Sequence, residues 1–242
     1  MSSNDAVAVA LVRTIRGGNL DALRRLLDEH AGLASVRLQD KKGGTRTPLH
    51  VAADWPGYFP NGAAIVDLLI SRGADPNAPV TGSWHAETPL HWAASSDDVD
   101  VAAALIAGGA NIEATGASIA GGAPIDDAVG YGCWHIARLL VKQGARVERL
   151  WNAAALGMMS RVEELLGGHP PPTPQDINDA FWQACAGGQR RVAEYLLARG
   201  AEINWIPEYT KVTPLDAAGT LPTRSSTMVN WLRGLDAKSA KG

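Results

Sequence analysis

The side chains best equipped for chemistry in this 242-residue chain are histidines, carboxylates and a tyrosine between positions 85 and 131. His85, Glu87 and His91 offer two imidazoles and a carboxylate, donor types that hold zinc. Their intervals match no recognised ligand spacing, so no metal is expected. Asp127, with Tyr131 one helical turn on, supplies a carboxylate that burial would push toward protonation and so toward general acid or base work. Ser118, in Gly116-Ala117-Ser118-Ile119-Ala120, does not complete a nucleophile elbow, and its glycine-rich surroundings suit a loop. Gly130-Tyr131-Gly132 lacks the third glycine and the preceding strand of a dinucleotide fingerprint. Cys133 and Cys185 stand far apart and outside any paired motif, which excludes a disulfide scaffold or zinc knuckle and suits thiols kept reduced in helices. No cofactor is expected.

Charge narrows the partners. With 22 basic and 25 acidic residues the formal net charge is −3, so no global positive field draws nucleic acid. The basic runs go no further than Lys41-Lys42 and Arg190-Arg191. Ala6 to Val12 is apolar, but no basic segment precedes it, and Arg13 and Arg16 follow closely. That pattern reads as an amphipathic helix rather than a signal peptide. No stretch approaches membrane-spanning length. The expectation is a soluble, cytoplasmic protein with no membrane or nucleic-acid partner.

The elements that must position these residues follow from internal repeats. Thr47-Pro48-Leu49-His50-Val51-Ala52-Ala53 recurs as Thr88-Pro89-Leu90-His91-Trp92-Ala93-Ala94, with weaker copies at Ala123-Pro124-Ile125-Asp126 and Thr213-Pro214-Leu215-Asp216. A second phrase, a short apolar helix closed by Gly-Ala, ends at Gly73-Ala74, Gly109-Ala110, Gly144-Ala145 and Gly200-Ala201. Threonine caps a first helix and proline suits its first turn, having no amide to leave unpaired. Leucine and the alanine pair face the layer between helices. Glycine ends the second helix in a left-handed conformation. One such pair cannot bury its own apolar face, so stability must come from stacking.

In order and content these phrases resemble the ankyrin repeat over nearly the whole chain. The resemblance implies an all-α solenoid of about seven helix-pair units with short β-hairpin fingers, forming a single domain over residues 1–242. An N-terminal cap is expected near 5–40, internal repeats over 41–206 and a C-terminal cap over 207–236. Unit two carries an insertion, Trp55 to Gly62. Before Trp151 the finger is deleted. After the stiff His169-to-Pro174 connector, a helix is expected to start near Ile177.

The resemblance further implies a concave surface of fingers and first helices on which partners lie. It nominates Arg46, Asp54 and Trp55, then Trp84, His85, Glu87, Trp92, Ser95 and Ser96, then Asp127 and Tyr131, and finally Asn152 and Gln183. His50 and His91, and Asp126 and Asp216 at the same position, are expected to tie units together through neighbouring backbone. Two features depart from the family pattern. Val51, Trp92, Asp127, Asn152 and Gln183 fill a usually apolar position, a polar ladder that must find partners. Eight tryptophans stand against two phenylalanines and four tyrosines. Trp55, Trp84 and Trp92 are expected to gather on the concave side as anchors, while Trp134, Trp151, Trp182, Trp205 and Trp231 pack between repeats. The function implied is binding of a protein partner on the concave face. The alternative is a small-molecule site or cofactor-free enzyme around Trp92 and Asp127.

Overall fold

The computed structural model describes residues 1–2, 4–41, 43–220 and 225–240; Lys42 of the basic pair and residues 221–224 of the expected C-terminal cap lie outside them. The structure is mostly helical and divides into two compact units, residues 1–145 and 146–242. No helix among the described residues is long and apolar enough to cross a membrane.

In the first unit, α1 (Ala6–Arg16) and α2 (Leu20–Glu29) lead through a single 3-10 turn into a hairpin, β1 (Leu38–Gln39) and β2 (Thr45–Arg46). Then come α3 (Pro48–Ala52), α4 (Gly62–Ser71), α5 (Pro89–Ser96), α6 (Val99–Ala107), α7 (Pro124–Gly130) and α8 (Trp134–Lys142). First helices α1, α3, α5 and α7 pack side by side, second helices α2, α4, α6 and α8 likewise, and each first helix packs on the second that follows it. Leu49, Leu90 and Ile125 from one layer and Ile65, Leu69, Leu105 and Leu140 from the other are buried between them. Each contributes about 1.5–3 kcal/mol by leaving water.

Proline opens α3, α5 and α7, as the repeat phrase requires. Inside the phrase the histidine is fixed from both sides. His50 Nδ1 accepts from the Thr47 amide at 3.2 Å and lies 2.8 Å from its hydroxyl. That leaves Nε2 as the protonated nitrogen, and it donates to the Glu87 carbonyl at 3.1 Å, in the finger of the next repeat. His91 repeats the arrangement with Thr88 and the Gly122 carbonyl. Burial holds both imidazoles neutral, with pKa values lowered to about 4. The fingers are short. β1 and β2 pair antiparallel with Leu38 opposite Arg46, and Thr45 forms a further bridge to Thr81 of the next finger.

The insertion between α3 and α4 lies down on its neighbours rather than projecting. The Tyr58 amide donates to Asp98 Oδ2 and its hydroxyl to the Asp97 carbonyl, while the Asn61 side chain donates to the Gly18 carbonyl at 2.9 Å. Gly18 must be glycine: its φ is +70°, and a Cβ there would meet the Pro60 carbonyl oxygen at 2.3 Å. Arg16 stands over the Phe59 ring at 5.7 Å. The segment thus clasps the α1–α2 turn on one side and the α5–α6 turn on the other.

The second unit opens on α9 (Leu150–Ala155), reached after four residues and therefore with no finger of its own. It continues through α10 (Met159–Leu166), α11 (Pro174–Ala186), α12 (Arg190–Leu197), α13 (Pro214–Ala218) and α14 (Ser225–Gly234). α11 starts at Pro174, earlier than the expected Ile177. Thr173 supplies the cap: its hydroxyl accepts the Asp176 amide at 3.2 Å, and Asp176 accepts the Thr173 amide at 2.8 Å. α11 packs so closely on α9 that a Cβ at Gly187 would meet the Ala155 carbonyl oxygen at 2.2 Å. After α14 the chain repeats the helix ending seen after α6. Asp236, at φ +58°, takes the place of Gly109, and the Lys238 amide donates to Asn204 as the Asn111 amide does to Asn77. Asp216, at the histidine position, accepts instead of donating, from the Ser239 hydroxyl at 2.6 Å and the Ala240 amide at 2.8 Å. Burial pushes its carboxyl up, but these bonds and those from Thr213 outweigh it and hold the pKa at about 2.

Acid should loosen the first unit through its two histidines. Their folded values lie below 6.5, so the unfolded chain takes up protons first, and stability present above that pH is lost as pH falls toward about 4. At pH 5 the loss should reach on the order of 2 kcal/mol per histidine, read as a lower urea midpoint than at pH 7.5. An unchanged midpoint would show that the imidazoles are not held neutral. Asp98→Ala, which removes both the α6 cap and the Tyr58 acceptor, should cost about 2 kcal/mol in the same measurement.

Candidate functional site

Three of the nominated residues, Arg46, Glu87 and Trp92, line an open cleft of about 270 Å³ between the first two fingers, with Asp40, Thr45 and Thr81 among the others around it. β2 delivers Arg46 and α5 delivers Trp92; the Thr45–Thr81 bridge fixes the spacing of the fingers that carry them. Trp92 is half-buried, its edge against the His50 ring at 5.1 Å between centroids. Arg46 stands over the Trp92 ring at 5.8 Å and pairs with Asp54 at 3.2 Å. Asp54 also holds Arg16.

Beside Trp92 stands Glu87, and the charge of Asp127 on α7 reaches it. Asp127 on α7 accepts the Ile119 amide at 2.9 Å and the Ser118 hydroxyl at 2.8 Å, both at Oδ1. The Tyr131 hydroxyl completes the group, 3.0 Å from that of Ser118. Asp127 is wholly buried, and its Oδ2 has no hydrogen-bond partner. Burial raises the carboxyl of Asp127, outweighing its bonds to Ile119 and Ser118. Burial also raises that of Glu87, helped by the negative charge of Asp127. The arrangement can hold a proton and clamp the 115–122 finger. Among the described residues no group of three histidine, cysteine, aspartate or glutamate side chains is placed to hold a metal ion.

Other nominated residues lie elsewhere. Trp84 is 100% exposed and Trp55 76% exposed, so the three tryptophans do not form one packed cluster. A finger that short and glycine-flanked has nothing against which to bury an indole. His85 is exposed beside Trp84. Ser95 and Ser96 turn their hydroxyls back onto the carbonyls of His91 and Trp92. In the second unit, Asn152 is buried on α9 and Gln183 on α11, and burial pushes the Tyr209 hydroxyl up to about 12. Trp182 and Trp205 there are half-buried, donating to the Val212 carbonyl and to Asp179. Sequence reasoning treated Ser118 as plain loop; only its interval of nine residues before Asp127 hinted at a role.

Asp127→Ala should release the finger it clamps. The Ile119 amide should lose most of its hydrogen-exchange protection, and stability should fall by about 1–3 kcal/mol, the range for a buried bonding group left without its partner. Retained protection at Ile119 would show that the finger is held by other contacts.

Residues 60–149 match the family described as "Ankyrin repeats (3 copies)". The chain is 37% identical over 89 residues to "Protein fem-1 homolog A" of Danio rerio, covering 33% of this chain and 14% of that protein. It is 27% identical over 194 residues to "Ankyrin repeat and KH domain-containing protein mask-1" of Caenorhabditis elegans, covering 76% of this chain and 7% of that one. The chain thus spans only a small part of the length of either relative. By that match and these likenesses the chain carries ankyrin repeats.

Proposed function

We propose that this protein is an interaction module that binds a protein partner on a concave face made by its fingers and first helices, in a solenoid of about seven repeat units. Ankyrin repeats generally mediate protein–protein interaction. The observation that carries the reading here is Trp84, an indole wholly exposed at a fingertip. Burying such a ring on a partner releases far more apolar area than a monomer gains by displaying it. Arg46, Asp54, Glu87, Trp92, Asp127 and Tyr131 supply the groove beside it, with His85 next to Trp84 and Trp55 and Ser95 toward the helix turns. Asn152 on α9 and Gln183 on α11 are the second unit's residues in this reading. The openness of the cleft supports a macromolecular partner over a small molecule. Cytoplasmic residence is part of the proposal, and the free buried thiols of Cys133 and Cys185 accord with a reducing compartment.

A photo-crosslinking residue placed at position 84, compared with one at exposed Asp67 on α4, tests this in cell extract. A protein captured from position 84 and not from 67, and lost in a Trp92→Ala background, is the expected result. Equal capture from both positions would place binding elsewhere.

A further inference from the structure

The second unit carries an aromatic surface of its own, on α11 and on the loop of residues 202–212 that leads from α12 to α13. The Trp182 ring meets that of Tyr209 edge-on, with centroids 6.1 Å apart and planes at 82°. Trp205, from the same loop as Tyr209, donates its indole N–H to Asp179 Oδ1 at 3.0 Å. Asp179 stands one turn of α11 before Trp182, on the same face of the helix. Rings and carboxylate therefore form one group. They are not core: both indoles and Asp179 are half-buried, Tyr209 is 65% exposed and Ile206 in the same loop 42%.

What this surface offers a ligand is narrow. The Trp182 N–H is committed to the Val212 carbonyl at 2.8 Å and the Trp205 N–H to Asp179. The indoles thus present ring surface and no free donor. That disfavours a proline-rich segment, a common occupant of aromatic grooves, whose carbonyls need donors. A carboxylate remains. Asp179 Oδ2 takes no hydrogen bond within the described chain and is not shut away from solvent. Neither Asp179 nor Glu208 forms an ion pair with a lysine or arginine among the described residues, and Lys211, in the same loop, pairs with neither. Burial pushes the Asp179 carboxyl up, and the charges of Asp176 and Glu208 act the same way.

We propose that this surface receives a lysine side chain of the protein partner, its ammonium bonded to Asp179 Oδ2 and its methylene stem lying along the rings of Trp182 and Tyr209. Aromatic rings attract a cation, and they give the stem apolar surface to cover. With Oδ1 already held by Trp205, a single oxygen is left to accept. That suits an ammonium, which acts as a point charge, better than the two-pronged guanidinium of arginine. The site stands wholly within the second unit, and it rests on the protein-partner reading above, which crosslinking at position 84 tests separately.

The test uses the full chain, with the indole N–H signals of Trp182 and Trp205 followed by NMR. The probes are a glycine–lysine–glycine peptide blocked at both ends and its counterparts with arginine, norleucine or proline in place of the lysine. The lysine peptide should shift both signals, and added salt should weaken its binding. The arginine peptide should bind less tightly, and the norleucine and proline peptides should leave both signals unmoved. Asp179→Asn keeps an oxygen for the Trp205 N–H, so the variant should remain folded, as its circular dichroism would show, and should bind the lysine peptide about tenfold more weakly. Tyr209→Ala, which removes a largely exposed ring, should weaken binding about threefold. Full binding by the Asp179→Asn protein, no shift with the lysine peptide, or equal binding of the arginine peptide would overturn the proposal. Shifts with the norleucine or proline peptide as large as those with lysine would overturn the cationic class while leaving the protein-partner reading standing. Tighter binding of butylammonium ion than of the lysine peptide would overturn it in favour of a free amine.

Discussion

The neutral imidazole of the repeat phrase is the constraint on which the first unit turns. Thr47 and Thr88 each present an amide and a hydroxyl to one ring nitrogen, which must accept, so the other nitrogen must donate. Its target is a carbonyl in the next finger, at Glu87 or Gly122. One side chain therefore caps its own helix, fixes its own tautomer and sets the distance to the following repeat. The finger geometry, and through it the cleft at Trp92, follows from that spacing. Where aspartate replaces histidine the logic inverts, because a carboxylate can only accept. Asp126 takes an amide from its own turn, and Asp216 takes donors from residues 239–240.

The candidate site is built on this frame by a different kind of bond. Asp127 on α7 reaches the two-residue stretch Ser118-Ile119, and its charge is felt by Glu87 on the second finger. Two like charges brought together away from water are costly, and only amide and hydroxyl donors offset the cost within the chain. Structural economy alone would place an apolar residue at position 127, as the phrase does with Val51. The Ser118 hydroxyl and the Ile119 amide supply the donors that let a carboxylate stand there instead.

The insertion shows how an irregular segment becomes part of the scaffold. Trp55 to Gly62 could have projected as a mobile flap. Tyr58 and Asn61 instead fasten it to the turns on either side, and Gly18 has no side chain to keep Pro60 away. Its exposed Trp55 and Tyr58 rings are thereby held at fixed positions, at lower entropic cost to any partner they meet.

Much of the fold was legible in the residues themselves. The Thr-Pro-Leu-His phrase sets helix starts, the Gly-Ala phrase sets helix ends, and both act within a few residues, so α3 to α8, α12 and α13 could be placed from their spacing. The start of α11 was missed because Thr173-Pro174 is the same capping phrase hidden in a run of prolines. The candidate site was legible as a list but not as an arrangement. Asp127, Glu87 and Trp92 stood out by type, whereas Ser118 looked like any loop serine. The three tryptophans expected together turned out to be one in the cleft and two exposed elsewhere. Local hydrogen bonding and apolar periodicity are short-range and written in consecutive residues. Which side chains share a buried backbone segment depends on how fingers thirty residues apart come to lie side by side, and only the stacked structure decided that.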